Sequence, residues 1–110
     1  MCFSNNFIRE FKTKLDWDWT TTNTPLDENF IVEFQGFIDW KVISRSQNLS
    51  EDFTEDFQNR LDWKAVSQYQ ILSERFIRDF QHKVDWKAIS VFQTLSEQFI
   101  REFQDVVDWK

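Results

Sequence analysis

An Asp-Trp pair returns every 23 residues along the chain, and this spacing limits the fold more than any other feature of the sequence. Two phenylalanines return in the same register, and no insertion or deletion interrupts it. A period of this length is typical of a chain that stacks small structural units, so we expect one repeat domain, 1–110. Numbered from the leucine of the recurring LSE tripeptide, the copies span 3–25, 26–48, 49–71, 72–94 and 95–110, and the last stops at its position 16.

The sequence pattern of each full copy predicts two short helices. In the fourth copy, LSERFIRDFQHKVDWKAIS, Ser73 and Asp85 are suited to accept hydrogen bonds from free N–H groups at a helix start. After Ser73, the apolar positions 1, 5, 6, 9 and 13 fall within an arc of about 140° at helical spacing. After Asp85, apolar residues follow at helical spacing for about two turns. The predicted caps are Ser50, Ser73 and Ser96 for the first helices and Asp39, Asp62 and Asp85 for the second helices.

Helices this short are unstable alone and must bury their apolar faces on neighbouring helices. Because the connections are short, consecutive helices must turn back on each other. We therefore predict an all-α fold, an α-solenoid of stacked helix pairs with a truncated fifth copy. The predicted core consists of the recurring aromatic residues Trp17, Trp40, Trp63, Trp86, Trp109, Phe30, Phe34, Phe53, Phe57, Phe76, Phe80, Phe99 and Phe103.

The first copy departs from this pattern in its second half. The segment 18–25, DWTTTNTP, is rich in β-branched and turn residues, which disfavour a helix. We expect a degraded helix or an extended cap there, so that this copy closes one end of the stack. Trp19 either plugs that end or binds a partner. Phe37 and Val106, at the flank of the apolar arc, are either extra core, which we favour, or partly exposed apolar contacts.

Polar residues that recur from the second copy onward predict side-chain hydrogen bonds to the loops or to the next copy, which would fix how the copies stack. A solvated position rarely requires one residue type, so a structural role is expected for each of them. Glutamine occupies position 10 in Gln35, Gln58, Gln81 and Gln104, and position 22 in Gln47, Gln70 and Gln93. Serine joins them in the second helix, at Ser44, Ser67 and Ser90.

Positions 4 and 7 of each copy are predicted to form a partner-binding surface. They lie opposite the apolar arc of the first helix and differ most between copies, so any specificity for a partner is expected there. The residues in question are Asn29, Val32, Asp52, Glu55, Arg75, Arg78, Gln98 and Arg101.

Position 8 is acidic in every copy, which predicts a row of carboxylates along the stack. The row either faces a basic partner or is a solvated edge partly neutralised by pairs four residues apart, Asp56 with Arg60 and Asp79 with Lys83. The residues of this acidic row are Glu10, Glu33, Asp56, Asp79 and Glu102.

Composition argues against several classes of function. The net charge is −6 and no basic stripe is present, so direct nucleic-acid binding is not expected. The single histidine, His82, and the single cysteine, Cys2, offer neither a catalytic triad nor a metal cluster, so no enzyme activity, catalytic residue, metal or cofactor is predicted. No apolar run approaches the ~20 residues of a membrane span, no secretory signal is recognisable, and no internal disulfide is possible. We expect an intracellular, cytoplasmic protein.

The run LSExFIxxFQxxVDWKxIS resembles short tandem repeats that occur in many copies in proteins of large DNA viruses infecting amoebae. The resemblance covers essentially the whole chain except 18–25. It implies a viral or virus-derived intracellular protein, and no chemistry is assigned to such repeats.

Three functions are compatible with this sequence. The first is a non-enzymatic scaffold that binds another protein, by analogy with other helix-pair solenoids. The second is an acidic decoy that occupies the nucleic-acid-binding site of a host or defence protein. The third is a self-assembling structural component, because the fifth copy ends at Trp109 and Lys110 without a second helix and leaves an open end for a second copy of the chain.

Overall fold

The computed structural model describes residues 3–109 and contains short helices joined by tight turns. Within these residues no strand occurs, and the helices alternate between six and seven residues in length. The all-α repeat fold predicted from the 23-residue period is confirmed. The helices are α1 Asn5–Glu10, α2 Trp17–Asn23, α3 Glu28–Glu33, α4 Trp40–Ser46, α5 Glu51–Asp56, α6 Trp63–Tyr69, α7 Glu74–Asp79, α8 Trp86–Phe92 and α9 Glu97–Glu102.

The second helices of neighbouring copies pack directly on one another. Helix α2 packs on α4, α4 on α6, and α6 on α8. The resulting stack is elongated, with extents of 52 × 24 × 17 Å. Because the stack is elongated, one side of every helix pair is exposed to solvent.

Side chains at the two helix starts in each copy accept hydrogen bonds from the first turn. Ser73 Oγ accepts from the backbone N–H of Phe76 at 3.1 Å, and Asp85 Oδ1 accepts from that of Lys87 at 3.1 Å. The other predicted cap residues stand at the same places in their own copies. The local signals for helix starts therefore place the helix pairs in register.

The first helix of each pair is shorter than its apolar arc predicts. In the fourth copy it ends at Asp79, and Phe80 adopts φ −110° and ψ 26°. Lys83 and Val84 then donate to the carbonyl of Phe80, at 2.8 and 3.1 Å, in a tight turn. This turn returns Val84 to the core, where it is buried, and so the apolar arc spans a helix and a turn.

The most buried side chains are aliphatic residues at positions 6 and 18, although the predicted core was aromatic. Ile31, Ile43, Ile77 and Ile89 are each at most 1% exposed. Phenylalanine at position 5 is buried beside them from the second copy onward, as Phe99 shows at 1% exposure, whereas Phe7 of the first copy is 38% exposed. Trp40, Trp63 and Trp86 are only partly buried, as are Phe57 and Phe80.

Each tryptophan of the repeat packs against the phenylalanine at position 9 of the following copy. The centroids of Trp63 and Phe80 are 5.5 Å apart, and those of Trp86 and Phe103 are 5.2 Å apart. Trp109, assigned to the core from sequence, is instead 69% exposed, because no such phenylalanine covers its ring within residues 3–109.

The second half of the first copy is a regular helix, contrary to expectation. Helix α2 has seven residues, as does α4. Thr20 and Thr21 are almost completely buried, and their hydroxyls donate to the carbonyls of Asp16 and Trp17 at 2.8 and 2.7 Å. Because these bonds satisfy the polar groups inside the helix, the threonine run is compatible with burial.

Three apolar residues for which the sequence allowed two interpretations lie at the surface. Trp19 is 43% exposed and its ring contacts that of Phe3, with centroids 5.5 Å apart, so it covers the first helix pair only in part. Phe37 and Val106 are 42% and 46% exposed, and the prediction that they belong to the core is wrong. Phe37 retains one contact with the core, since its ring lies 5.4 Å from that of Trp17.

Candidate interaction surface

Glutamine at position 22 joins each copy to the preceding one. Gln70 is 5% exposed, and its Nε2 donates to the carbonyls of Ser44 at 2.9 Å and Gln47 at 2.6 Å. Its Oε1 accepts from the backbone N–H of Leu49 at 3.0 Å. Gln47 and Gln93 make the equivalent three bonds in their copies. The predicted role of these glutamines in stacking is confirmed.

Serine at position 19 also links neighbouring copies. The backbone N–H of Asp85 donates to Ser67 Oγ at 2.9 Å, and that of Asp108 donates to Ser90 Oγ at 2.8 Å. Glutamine at position 10 behaves differently, since Gln81 Nε2 donates within its own copy to the carbonyl of Arg78 at 3.1 Å. Position 10 therefore supports the local turn, and positions 19 and 22 support the stack.

A third link between copies was not anticipated from the sequence. The Glu51 carboxylate accepts from the backbone N–H and the hydroxyl of Ser73, at 2.8 and 3.0 Å. Glu74 binds Ser96 in the same way, at 2.6 and 3.0 Å. The signal was present in the fixed LSE tripeptide, because the Glu of one copy and the Ser of the next are always 22 residues apart.

Every residue of the candidate partner-binding surface is exposed. Arg78 of this surface, and Arg9 at the same position of the first copy, meet the acidic row across a junction. The Arg78 guanidinium donates two hydrogen bonds of 2.9 Å to the Glu102 carboxylate, and Arg9 binds Glu33 in the same way at 3.1 and 3.0 Å. Position 7 of one copy therefore pairs with position 8 of the next.

The predicted ion pairs four residues apart do not form within residues 3–109. The Arg60 guanidinium lies over the Trp40 ring, 6.0 Å from its centroid, instead of binding Asp56. Lys83 Nζ donates to Asn59 Oδ1 of the preceding copy at 3.3 Å instead of binding Asp79. The first helix ends at the acidic residue of each pair, so Arg60 and Lys83 lie in the following turn, and the rule for pairs four residues apart within one helix does not apply.

The middle of the acidic row lacks arginine partners. Val32 and Glu55 occupy position 7 where the first and fourth copies have arginine, so Asp56 and Asp79 have no such partner in the preceding copy. A shallow groove between α5 and α7 gathers Asp52, Glu55 and Asp79 with one basic residue, Arg75. The row therefore holds two neutralised carboxylates, Glu33 and Glu102, on either side of an acidic central part, and Glu10 at its first end forms no ion pair within residues 3–109.

The two paired carboxylates of the row, Glu33 and Glu102, should have pKa values below the ordinary range. Hydrogen bonds from Arg78 lower the pKa of Glu102, and those from Arg9 lower the pKa of Glu33. Arg78→Gln should return the pKa of Glu102 towards its ordinary value, which carbon-13 NMR titration of the side-chain carboxyl will measure.

Glu33 supplies the control in the same variant, because its own partner Arg9 is intact and its pKa should stay low. Since the folded pKa of Glu102 is depressed, its small contribution to stability is present above the unfolded pKa and lost as the pH falls through the folded pKa. An unchanged Glu102 titration in Arg78→Gln would contradict the pairing.

The described residues hold little that resembles a reactive site. Within 3–109 no group of three or more His, Cys, Asp or Glu side chains is placed to hold a metal ion. His82 is exposed, and Cys2 lies outside the described residues. No helix in this part of the chain is long and apolar enough to cross a membrane.

No protein-family model matches the chain, and neither the curated proteins nor the solved structures contain a match. The resemblance to repeats of amoeba-infecting viruses stays a prediction.

Proposed function

We propose that this chain is a protein-interaction scaffold. One observation supports the proposal: side chains that join the copies repeat in register, whereas exposed side chains at positions 4 and 7 change from copy to copy. The glutamine, serine and glutamate links repeat from the second copy onward, and they hold the exposed side chains along a stack 52 Å long. Extended surfaces of this kind are what repeat proteins use to bind other proteins.

The central copies are the best place to test the proposal. Asp52 and Glu55 are exposed and make no ion pair within the described residues, so charge reversal there should leave the stack folded. We expect affinity purification from cells that produce the chain to capture a specific partner. Asp52→Lys with Glu55→Lys should weaken that capture roughly tenfold or more, since like charges placed in an interface are repelled.

Asp105→Lys is the matched control, because Asp105 is also an exposed acid but lies in the turn after α9. Capture of no specific partner, or capture indifferent to Asp52→Lys with Glu55→Lys, counts against the scaffold.

The carboxylates in the middle of the acidic row, Asp56 and Asp79, have no arginine partner in the preceding copy. They favour a second candidate function, an acidic decoy for a nucleic-acid-binding protein. In that case the captured protein binds DNA or RNA, and the chain displaces the nucleic acid from it. Asp56→Lys with Asp79→Lys should then abolish the displacement. A captured protein without affinity for nucleic acid excludes the decoy and leaves the scaffold standing.

A further inference from the structure

The outer face of the second helices changes in character along the stack. Positions 20, 21 and 23 are polar or proline in the first two copies and carry most of the exposed apolar residues in the next two. The first two copies have Thr22, Asn23, Pro25, Arg45, Ser46 and Asn48 at these positions. The third and fourth copies place there Tyr69, Ile71, Val91 and Phe92, which are 56%, 96%, 66% and 55% exposed and which we name the apolar patch.

The apolar patch is not required by the fold. Helix α4 has the same length as α6 and α8, and it carries Arg45 and Ser46 where they carry apolar residues or glutamine. The links made by glutamine at position 22 and serine at position 19 are the same with either kind of neighbour, and Ser46 at position 21 adds only one bond between copies, to the carbonyl of Thr21 at 3.1 Å. Exposed apolar side chains that the fold does not need, gathered on one face, are typical of a surface that binds a partner.

The apolar patch lines two adjoining grooves. One groove lies between the ends of α6 and α8 and is lined by Tyr69, Ile71 and Phe92. The other lies along the exposed sides of the same helices and is lined by Val91 and Phe92. Phe92 and Gln68 line both grooves, so an extended segment that runs through both grooves contacts all four residues of the patch.

Two lysines give the second groove its charge. Lys64 and Lys87 line it, are exposed, and form no ion pair within residues 3–109. Asp85 also lines it, but this carboxylate accepts a hydrogen bond from the Lys87 backbone N–H as the N-cap of α8. In a chain with a net charge of −6, this groove offers free ammonium groups beside apolar side chains.

We propose that the apolar patch binds a peptide segment of another protein that carries an aromatic or aliphatic side chain flanked by carboxylates. The apolar side chain fits beside Phe92, and the carboxylates meet Lys64 and Lys87. This inference rests on the proposed scaffold function and adds a second contact surface, on the second helices of the third and fourth copies, to the one at positions 4 and 7. Aromatic anchors supply affinity in such interfaces, and rim charges supply orientation.

The test starts from a phage-displayed random-peptide library panned on the whole chain. We expect enriched peptides in which Asp or Glu flanks an aromatic or aliphatic residue. The enriched peptide, labelled with a fluorophore, is then titrated with the chain and followed by fluorescence anisotropy. Tyr69→Ser with Phe92→Asn places at position 21 the residues that the second and first copies already have, and should weaken binding at least tenfold.

Lys64→Gln with Lys87→Gln should weaken binding severalfold and reduce its dependence on salt. Lys41→Gln is the matched control, because Lys41 is an exposed lysine at the same position of the second copy and lines neither groove, and it should bind as the unchanged chain does. Circular dichroism of each variant should show the same helix content, because all the changed residues are exposed.

Several results overturn the proposal: no enrichment, enrichment of peptides with basic flanks, or equal binding by Tyr69→Ser with Phe92→Asn. Sedimentation that shows a dimer of the unchanged chain and a monomer of that variant also overturns it, because a second copy would then cover the patch. If a partner is captured from cells and its capture depends on Asp52 and Glu55 but not on Tyr69 and Phe92, the proposed scaffold function is supported and the proposed peptide-binding groove is rejected.

Discussion

Trp63→Ala should cost about 3–5 kcal/mol of the free energy of unfolding, a large part of the stability of so small a stack. The Trp63 ring packs on Phe76 and Phe80 of the following copy, and its indole N–H donates to the carbonyl of Gln58 at 2.8 Å. Truncation removes the ring from a junction in the middle of the chain and leaves a cavity there. Urea denaturation followed by circular dichroism measures the loss.

Trp19→Ala is the control for this measurement. The Trp19 ring is 43% exposed and contacts the ring of Phe3 within its own copy, so its removal opens no junction between copies. We expect a distinctly smaller loss. Equal losses for the two variants would show that the junctions do not dominate stability.

Gln70→Glu should destabilise the stack by about 3–5 kcal/mol at neutral pH, because it buries an unpaired carboxylate. The shape of the side chain is kept, but the two N–H donors to the carbonyls of Ser44 and Gln47 are lost. The introduced carboxylate faces those carbonyl oxygens, so its pKa should rise on folding. The variant should then be most stable at low pH and lose stability as the pH rises from the unfolded to the folded pKa.

Gln58→Glu provides the comparison for that pH dependence. Gln58 Nε2 donates to the carbonyl of Glu55 at 3.0 Å in an exposed turn of its own copy. The introduced carboxylate remains in water, so the loss should be below about 1 kcal/mol. Denaturation of both variants at several pH values checks the prediction, and a loss for Gln70→Glu that is independent of pH would contradict it.

Helix starts were predictable from the sequence because their signals are local. Ser73 and Asp85 act on N–H groups two or three residues away, so neighbouring copies do not alter the outcome. Helix ends were not predictable in the same way. The helix ends before Phe80, and the following turn brings the backbone N–H of Asp85 to Ser67 Oγ, 18 residues away in the preceding copy. The position of the helix end therefore depends on a contact between copies.

Burial and pairing at the surface depend on the next copy, which explains the remaining errors. Trp86 is covered by Phe103, whereas Trp109 has the same local sequence without such a cover and is exposed. Arg78 binds Glu102, 24 residues away, and no rule for positions within one helix contains that distance. The candidate positions were correctly placed on the exposed side, but which of them neutralise each other is decided by the stacking.

The links between copies are all of short range. The bonds made by Gln47, Gln70 and Gln93 join residues no more than 26 apart, and those made by Ser44, Ser67 and Ser90 join residues 18 apart. Contact order is therefore low, and the entropy of closing each loop is small and nearly equal at every junction. Folding can nucleate at any junction, and an in-frame tandem duplication of one copy adds a junction of the same kind without disturbing the others. The length of the exposed surface can thus change by whole copies while each junction keeps its strength.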